Sequence, residues 1–366
     1  MKFSIQREDI LKPLQAICGV VERRQTMPVL SNVLMTVSQS RLVLCGTDLE
    51  VELKIEVPID SSESGEITLP ARKLFDICRA LPEDAEIHFQ IEGDRATLRS
   101  GKSRFTLSTL PATEFPSMEA IQAVNQFVIP QSKLKYLIDK TQFCMAQQDV
   151  RYYLNGLMLE IDKNRVCAVA TDGHRLAWCQ TEALIDVPQL QQIIIPRKGI
   201  NELSRLLENN DTDISLRLST NHIRVSLPNI TFTSKLIDGR FPDYQRVMPQ
   251  SGDKIVYANR EVIRQALVRA SILSNEKYRG IRMTLQSGMI QVQANNPELE
   301  EAEEEFPVEY TGPGLEIGFN VTYFLDALSV IDQADVSLQF ADSNSSCLIT
   351  PKGDKTCKYV VMPMRL

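Results

Sequence analysis

Apolar and polar residues alternate in short runs along the chain, and the runs are separated by stretches with helical spacing. Period-two alternation over 41–53 and 165–180 predicts strands, with a hairpin over 86–98 turned at Gly93-Asp94 and 103–110 following as another strand. Short strands open at 2–5, 126–129 and 254–257. Each is followed by apolar residues three or four apart: Ile10, Leu11, Leu14, Ile17 and Cys18; Leu134, Leu137, Ile138 and Phe143; Val262, Ile263, Leu267 and Ile272. That spacing predicts one buried helix face in each case. Shorter helices are expected at 71–81, 197–207 and 321–331, two of them entered through Pro70 and Pro196.

These elements recur as a unit. Gly46-Thr47-Asp48-Leu49-Glu50 returns as Ala170-Thr171-Asp172-Gly173-His174 and again as Ala294-Asn295-Asn296-Pro297-Glu298, with a step of 124 residues both times. Leu69-Pro70-Ala71-Arg72-Lys73-Leu74 is echoed by Ile195-Pro196-Arg197-Lys198-Gly199-Ile200. The period is far longer than the roughly 20–50 residues of a solenoid repeat, so it is a domain period. The expected architecture is α+β: three tandem copies of one sheet-plus-two-helices domain, at 1–124, 125–252 and 253–366. Polar, Pro and Gly residues gather at 117–125 and 248–253, where the linkers should fall.

Composition narrows the function classes. No apolar run approaches the roughly 20 residues of a membrane helix, and the start of the chain enters a strand with no secretory core, so the expectation is a soluble cytoplasmic protein. Eight cysteines, none closer than ten residues to the next, exclude CxxC spacing and suggest buried thiols rather than a disulfide framework. Net charge is −7, yet the six helical windows 7–24, 71–81, 131–149, 197–208, 260–282 and 320–332 carry 19 Lys and Arg against 12 Asp and Glu. Acid concentrates elsewhere, most densely at Glu298, Glu300, Glu301, Glu303, Glu304 and Glu305, which is read as strand. Solvated helix faces are the plain explanation; the sharper one is a basic helical surface that holds a polyanion through its phosphates.

Catalytic motifs are missing. No phosphate loop, HExxH, GxSxG or metal-spaced set occurs, and only His88, His174 and His222 could supply imidazole. Asp48 and Asp172 occupy equivalent repeat positions, so they are expected to shape turns rather than pair as acids. A peptide scaffold that does not bind DNA and a hydrolytic enzyme are the alternatives to a DNA-holding protein.

Several motifs resemble one family in the same order. They are Gln148-Asp149-Val150-Arg151-Tyr152-Tyr153-Leu154-Asn155-Gly156, Thr171-Asp172-Gly173-His174-Arg175-Leu176, Ile272-Leu273-Ser274-Asn275-Glu276-Lys277-Tyr278-Arg279-Gly280 and the closing Tyr359-Val360-Val361-Met362-Pro363-Met364-Arg365-Leu366. With the threefold repeat, the chain resembles the bacterial DNA polymerase III β subunits, the sliding clamps, over its whole length. The resemblance implies a DNA clamp fold in which two chains close head to tail into a ring around duplex DNA. It implies a processivity factor without catalysis, exonuclease activity, cofactor or metal. The implied partners are duplex DNA of any sequence, a second copy of the chain, the polymerase α subunit, the clamp-loader δ subunit and other proteins bearing a clamp-binding motif.

The resemblance also assigns residues. DNA contacts would come from Arg24, Arg72, Gln148, Tyr152, Tyr153, Lys198 and Arg279, with Arg197 and Arg205 added from their helix positions. A peptide groove would be walled by Leu154, Thr171, Gly173, His174, Arg175, Leu176, Pro242, Arg246, Val247, Val360, Met362, Pro363, Met364 and Arg365, with Asn320, Tyr323 and Ser346 at its rim. Asn344 departs from an apolar position in relatives. The dimer seam would join Lys73, Arg104, Phe105 and Leu107 to Ile272, Leu273, Glu298, Glu300, Glu303 and Glu304.

Overall fold

The computed structural model describes residues 1–22, 27–116, 118, 123–185, 187, 189–249 and 252–365, with only the backbone described at 60–62. Arg24 and parts of both expected linkers lie outside the described residues. The helices are α1 (Arg7–Val20), α2 (Ala71–Ala80), α3 (Gln131–Thr141), α4 (Arg197–Leu206), α5 (Arg260–Ser271) and α6 (Val321–Ser329). Strands Arg41–Thr47, Arg165–Thr171 and Met289–Asn295 begin 124 residues apart, so the sequence period is a structural one. α5 and α6 start where Asn259 and Asn320 accept hydrogen bonds from backbone amides of the first turn. The long helical windows end early: α3 stops at Thr141 and a short 3-10 turn, Gln142–Cys144, takes over.

Strand pairing differs from one sheet per repeat. Each repeat divides its strands between two antiparallel sheets, and the larger sheets draw strands from two repeats. Ile230–Lys235 pairs with Val51–Pro58, joining middle-repeat strands to first-repeat ones in an eight-stranded sheet. Cys357–Val361 pairs with Arg175–Glu182 in a second eight-stranded sheet. Such pairing satisfies backbone groups that an isolated repeat would leave at a sheet edge. The chain accordingly divides into two compact units, 1–135 with 198–236, and 136–197 with 237–366.

In the first unit, α1 and α4 approach so closely that a Cβ on Gly19 would run into the Glu202 carboxylate. A five-stranded sheet in this unit ends on the edge strand Ser103–Ser108. In the second unit, a four-stranded sheet ends on the edge strand Glu301–Pro307. Among the described residues no helix is long and apolar enough to cross a membrane.

Two expectations need correcting. Cys179 and Cys357 stand opposite each other on paired strands and form a disulfide across 178 residues of sequence. A long-range register of this kind leaves no spacing signal in the chain. The other six cysteines are buried and free, and burial pushes the thiols of Cys45 and Cys78 up to about 12. Second, Glu298 and Glu300 lie in the turn before Glu301–Pro307 rather than in the strand, because Asn296 accepts the Glu300 amide and Leu299 turns with φ 66°.

Candidate functional site

The repeated Thr-Asp motif builds the same turn twice. Thr47 Oγ1 donates to the Val51 carbonyl at 2.9 Å, and Asp48 Oδ1 accepts the Glu50 and Val51 amides. Likewise Thr171 Oγ1 donates to the Arg175 carbonyl at 2.6 Å, and Asp172 Oδ1 accepts the His174 and Arg175 amides. Both carboxylates are turn-formers. The third residue has positive φ in each, 76° at Leu49 and 87° at Gly173.

In the second unit this turn lies among the residues expected to wall a peptide groove. The Arg175 guanidinium is the central post. Its Nε donates to Asp172 at 3.1 Å, Nη1 meets Asp326, and Nη2 donates to the Phe143 carbonyl at 2.9 Å. Its plane sits 4.6 Å over the Tyr323 ring, and His174 stacks on the other part of the same aromatic wall, ring centres 6.3 Å apart. The chain's last strand closes the opposite side: Arg175 pairs with Val361 and Leu176 with Val360, and the Met362 amide donates to the His174 carbonyl at 2.9 Å.

Burial sorts the predicted groove residues. Leu176 and Val360 are buried in one apolar cluster with Met158, Cys167, Val169, Trp178, Phe241 and Tyr244; Leu154 is buried too. Thr171, Gly173, Arg175, Val247, Tyr323, Ser346 and Pro363 are half-buried, and His174, Pro242 and Met362 are exposed. Arg246 is exposed and pairs with Asp243 at 2.9 Å. Asn320 caps α6 and donates to the Tyr278 carbonyl at 3.1 Å. Asn344 is exposed and offers an amide where an apolar side chain was expected. Met364 and Arg365 line a separate depression of about 480 Å³ with Asn275, Tyr278, Gly280 and Asn295–Pro297.

Arg151, Phe143 and Asp326 are parts of this site that sequence reasoning missed. Arg151 clasps Asp149 through Nε and Nη2 at 3.0 and 2.9 Å, and Nη2 also donates to the Asp172 carbonyl. The clasp holds the Asp149 carboxyl down to about 2. Asn155 locks the loop from the other side, accepting the Asp149 amide and donating to its carbonyl. Exposed Gln148 and Tyr152 sit on this loop, while Tyr153 packs on the groove's core cluster. Only the Arg-Asp spacing hinted at the clasp; Asp326 is 151 residues from Arg175 and gave no local signal.

Several expected DNA contacts are engaged inside their own unit. Lys198 lies 2.9 Å from Glu22 and 2.5 Å from Asp48; burial opposes its charge, but these carboxylates outweigh it and raise its pKa. Arg72 donates to the Cys18 carbonyl, Arg197 to the Met145 carbonyl, and Arg205 pairs with Glu202. Arg279 holds a positive φ of 51° and its carbonyl accepts the Val321 amide at the start of α6.

The expected seam residues sit at two sheet edges, one in each unit. Arg104 and Phe105 lie on the edge strand Ser103–Ser108, with Lys73 exposed on α2, while Leu107 is mostly covered by its own core. The register sets Arg99 opposite Arg104, and Arg95 and Arg99 line one polar depression with it, two cations that the sequence reading did not pick out. On the other edge, Glu304 is bound by both Nε and Nη2 of Arg269 and Glu303 by Gln291 and Gln293, so Glu304 faces α5 rather than standing free. Ile272 is exposed and Leu273 half-exposed just beyond α5.

Known proteins match the whole chain. Models of the DNA polymerase III beta subunit cover it in three parts: the N-terminal domain over residues 1–119, the central domain over 128–243 and the C-terminal domain over 245–365. This chain belongs to the DNA polymerase III beta subunit family. The beta sliding clamp of Pseudomonas aeruginosa is 56% identical over the full length of both chains, and that of Escherichia coli 48%. A crystal structure of the P. aeruginosa sliding clamp bound to griselimycin superposes with a TM-score of 0.97, at 56% identity and full coverage of both chains. The fold is thus the α+β clamp fold, and the chain is a sliding clamp, a non-catalytic processivity factor of DNA polymerase.

Proposed function

We propose that two copies of this chain close head to tail into a ring around duplex DNA, in the cytoplasm, and tether polymerases through the groove beside Arg175. The observation that carries the tethering is the meeting of three distant segments in one unit: Leu176 and Val360 share one apolar cluster on paired strands, and Tyr323 lies under the Arg175 guanidinium. A groove with a buried floor, a Met lip and an aromatic wall suits short linear motifs with branched side chains. Its users would include the polymerase α subunit and the clamp-loader δ subunit. Domain boundaries near 124 and 252 belong to the same proposal; the family matches break between 119 and 128 and between 243 and 245.

Ring closure draws on the two edge strands. Pairing Ser103–Ser108 of one copy with Glu301–Pro307 of another would satisfy both exposed edges. The Lys73, Arg95, Arg99 and Arg104 charges would oppose Glu298, Glu300, Glu301 and Glu303. Phe105 would meet Ile272 and Leu273. Such a seam is heterologous and closes through a twofold axis. DNA would be held by Arg24, Arg72, Gln148, Tyr152, Tyr153, Arg197, Lys198, Arg205 and Arg279 through phosphates, without base reading.

The test is retention on a nicked circular plasmid, loaded with clamp loader and ATP, before and after linearisation. Retention on the circle and release on cutting supports encirclement. Equal retention on both would mean grip by contact, and the ring would have to be abandoned.

A further inference from the structure

Met364 and Arg365, which line the depression, follow directly on Met362 and Pro363 at the groove's expected lip. The Met362 amide is pinned to the His174 carbonyl and the Met364 amide to the Gly318 carbonyl, so one short extended segment walls both concavities. Asn320, at the expected groove rim, donates to Tyr278 at the rim of the depression. The remaining walls are fixed in advance. Asn275 Oδ1 accepts the Lys277 and Tyr278 amides at 3.0 Å each, and Asn296 is tied to Glu300 through both its amide nitrogen and its oxygen. A preformed, mainly apolar pocket with a few aimed polar groups is what a peptide side chain needs.

The geometry points to a second docking site here, which takes a segment of the same partner peptide running on past the groove. It rests on the groove reading and adds the chemistry of the flanking residues. Tyr278, Pro297 and Met364 offer apolar surface for one aromatic or branched side chain. Tyr278 is 57% exposed, so that surface is open. Arg365, exposed and lining the depression, supplies a cation for a carboxylate. The Asn295 amide makes no side-chain hydrogen bond among the described residues and can bond peptide backbone. Met362 and Met364 are two residues apart, roughly 7 Å of extended chain, so a peptide alongside needs about two or three residues to pass from one to the other. The occupant is therefore an acidic, aromatic extension three or four residues beyond the motif, and linkage to the first site raises affinity without new contacts in the groove.

Fluorescence polarisation of a labelled clamp-binding pentapeptide tests this, alone and with four-residue extensions carrying Phe and Asp at either end, and a control with Lys in place of Asp. The expected result is at least fivefold tighter binding for one acidic extension. Tyr278→Ala and Asn295→Asp should erase that gain and leave the pentapeptide's affinity unchanged, and the Lys control should gain little. Equal affinity of extended and core peptides, or a gain that survives both substitutions, overturns the second site while the groove stands. A core peptide that does not bind overturns the groove and the extension with it.

Discussion

A Cβ on Gly173 would sit 2.8 Å from Nη2 of Arg151. The turn that shapes the groove wall and the loop that carries Gln148 and Tyr152 are therefore in contact through one guanidinium. Leu49 shows that the equivalent turn tolerates a side chain at positive φ, so backbone strain alone does not demand glycine at 173. Gly173→Ala should cost about 1–2 kcal/mol through the left-handed backbone, plus a part due to displacing Arg151. In an Arg151→Ala background the second part should vanish. A double-mutant cycle on the urea midpoint would show a coupling of about 0.5 kcal/mol or more; strict additivity would mean that Arg151 simply moves aside.

Arg175 holds the groove wall from three directions, and its removal leaves Asp172 and Asp326 facing each other across the gap. Breaking a buried pair costs about 3–5 kcal/mol, and less where one partner is partly exposed, as Asp326 is. Arg175→Ala should lose about 2–3 kcal/mol and most peptide binding. Arg175→Lys keeps the charge but cannot reach Asp172, Asp326 and the Phe143 carbonyl together, nor lie flat on Tyr323. It should restore stability more than peptide affinity. Equal recovery of both would reduce Arg175 to a charge.

The Arg151 clasp predicts a pH response of definite sign. Asp149 is held down to about 2 by the Arg151 hydrogen bonds, below the ordinary value of about 3.9. A depressed carboxyl favours the folded loop above its ordinary pKa, and that contribution is lost as pH falls through the folded value. Peptide affinity should therefore be flat from pH 8 to about 4 as far as this clasp is concerned. At pH 3, carboxyl NMR should find only about one Asp149 in ten protonated, against a large majority in Arg151→Ala. Similar protonation in both proteins would remove the clasp.

The repeat was legible because its marker is local. A Thr-Asp pair whose side chains bond backbone two to four residues on must look alike in sequence wherever the turn recurs, as at Thr47-Asp48 and Thr171-Asp172. Helix faces were legible for the same reason. What pairs across more than a hundred residues was not: the joining of Ile230–Lys235 to Val51–Pro58, the meeting of Arg175 with Asp326, and the bridge from Cys179 to Cys357. Charge counting found basic helices but not that Lys198 is held by Glu22 and Asp48, because ion pairing depends on side-chain placement, not composition.

The seam gives the sharpest test of assembly. Ile272 is 72% exposed at the end of α5, an apolar side chain left mostly open to solvent. Leu273 beside it is half-buried, and Ser274 is buried. Fully burying an aliphatic side chain of this size is worth about 1.5–3 kcal/mol, and a ring closed by two seams counts each loss twice. Ile272→Ala with Leu273→Ala should shift the protein to monomer at micromolar concentration in sedimentation or mass photometry. The thermal transition of each unit should be little changed, since Ile272 supports no core. Peptide binding should also persist, because Arg175, Tyr323 and Met362 lie in one chain. An unchanged dimer mass would place the seam elsewhere, and loss of the fold would make these residues structural.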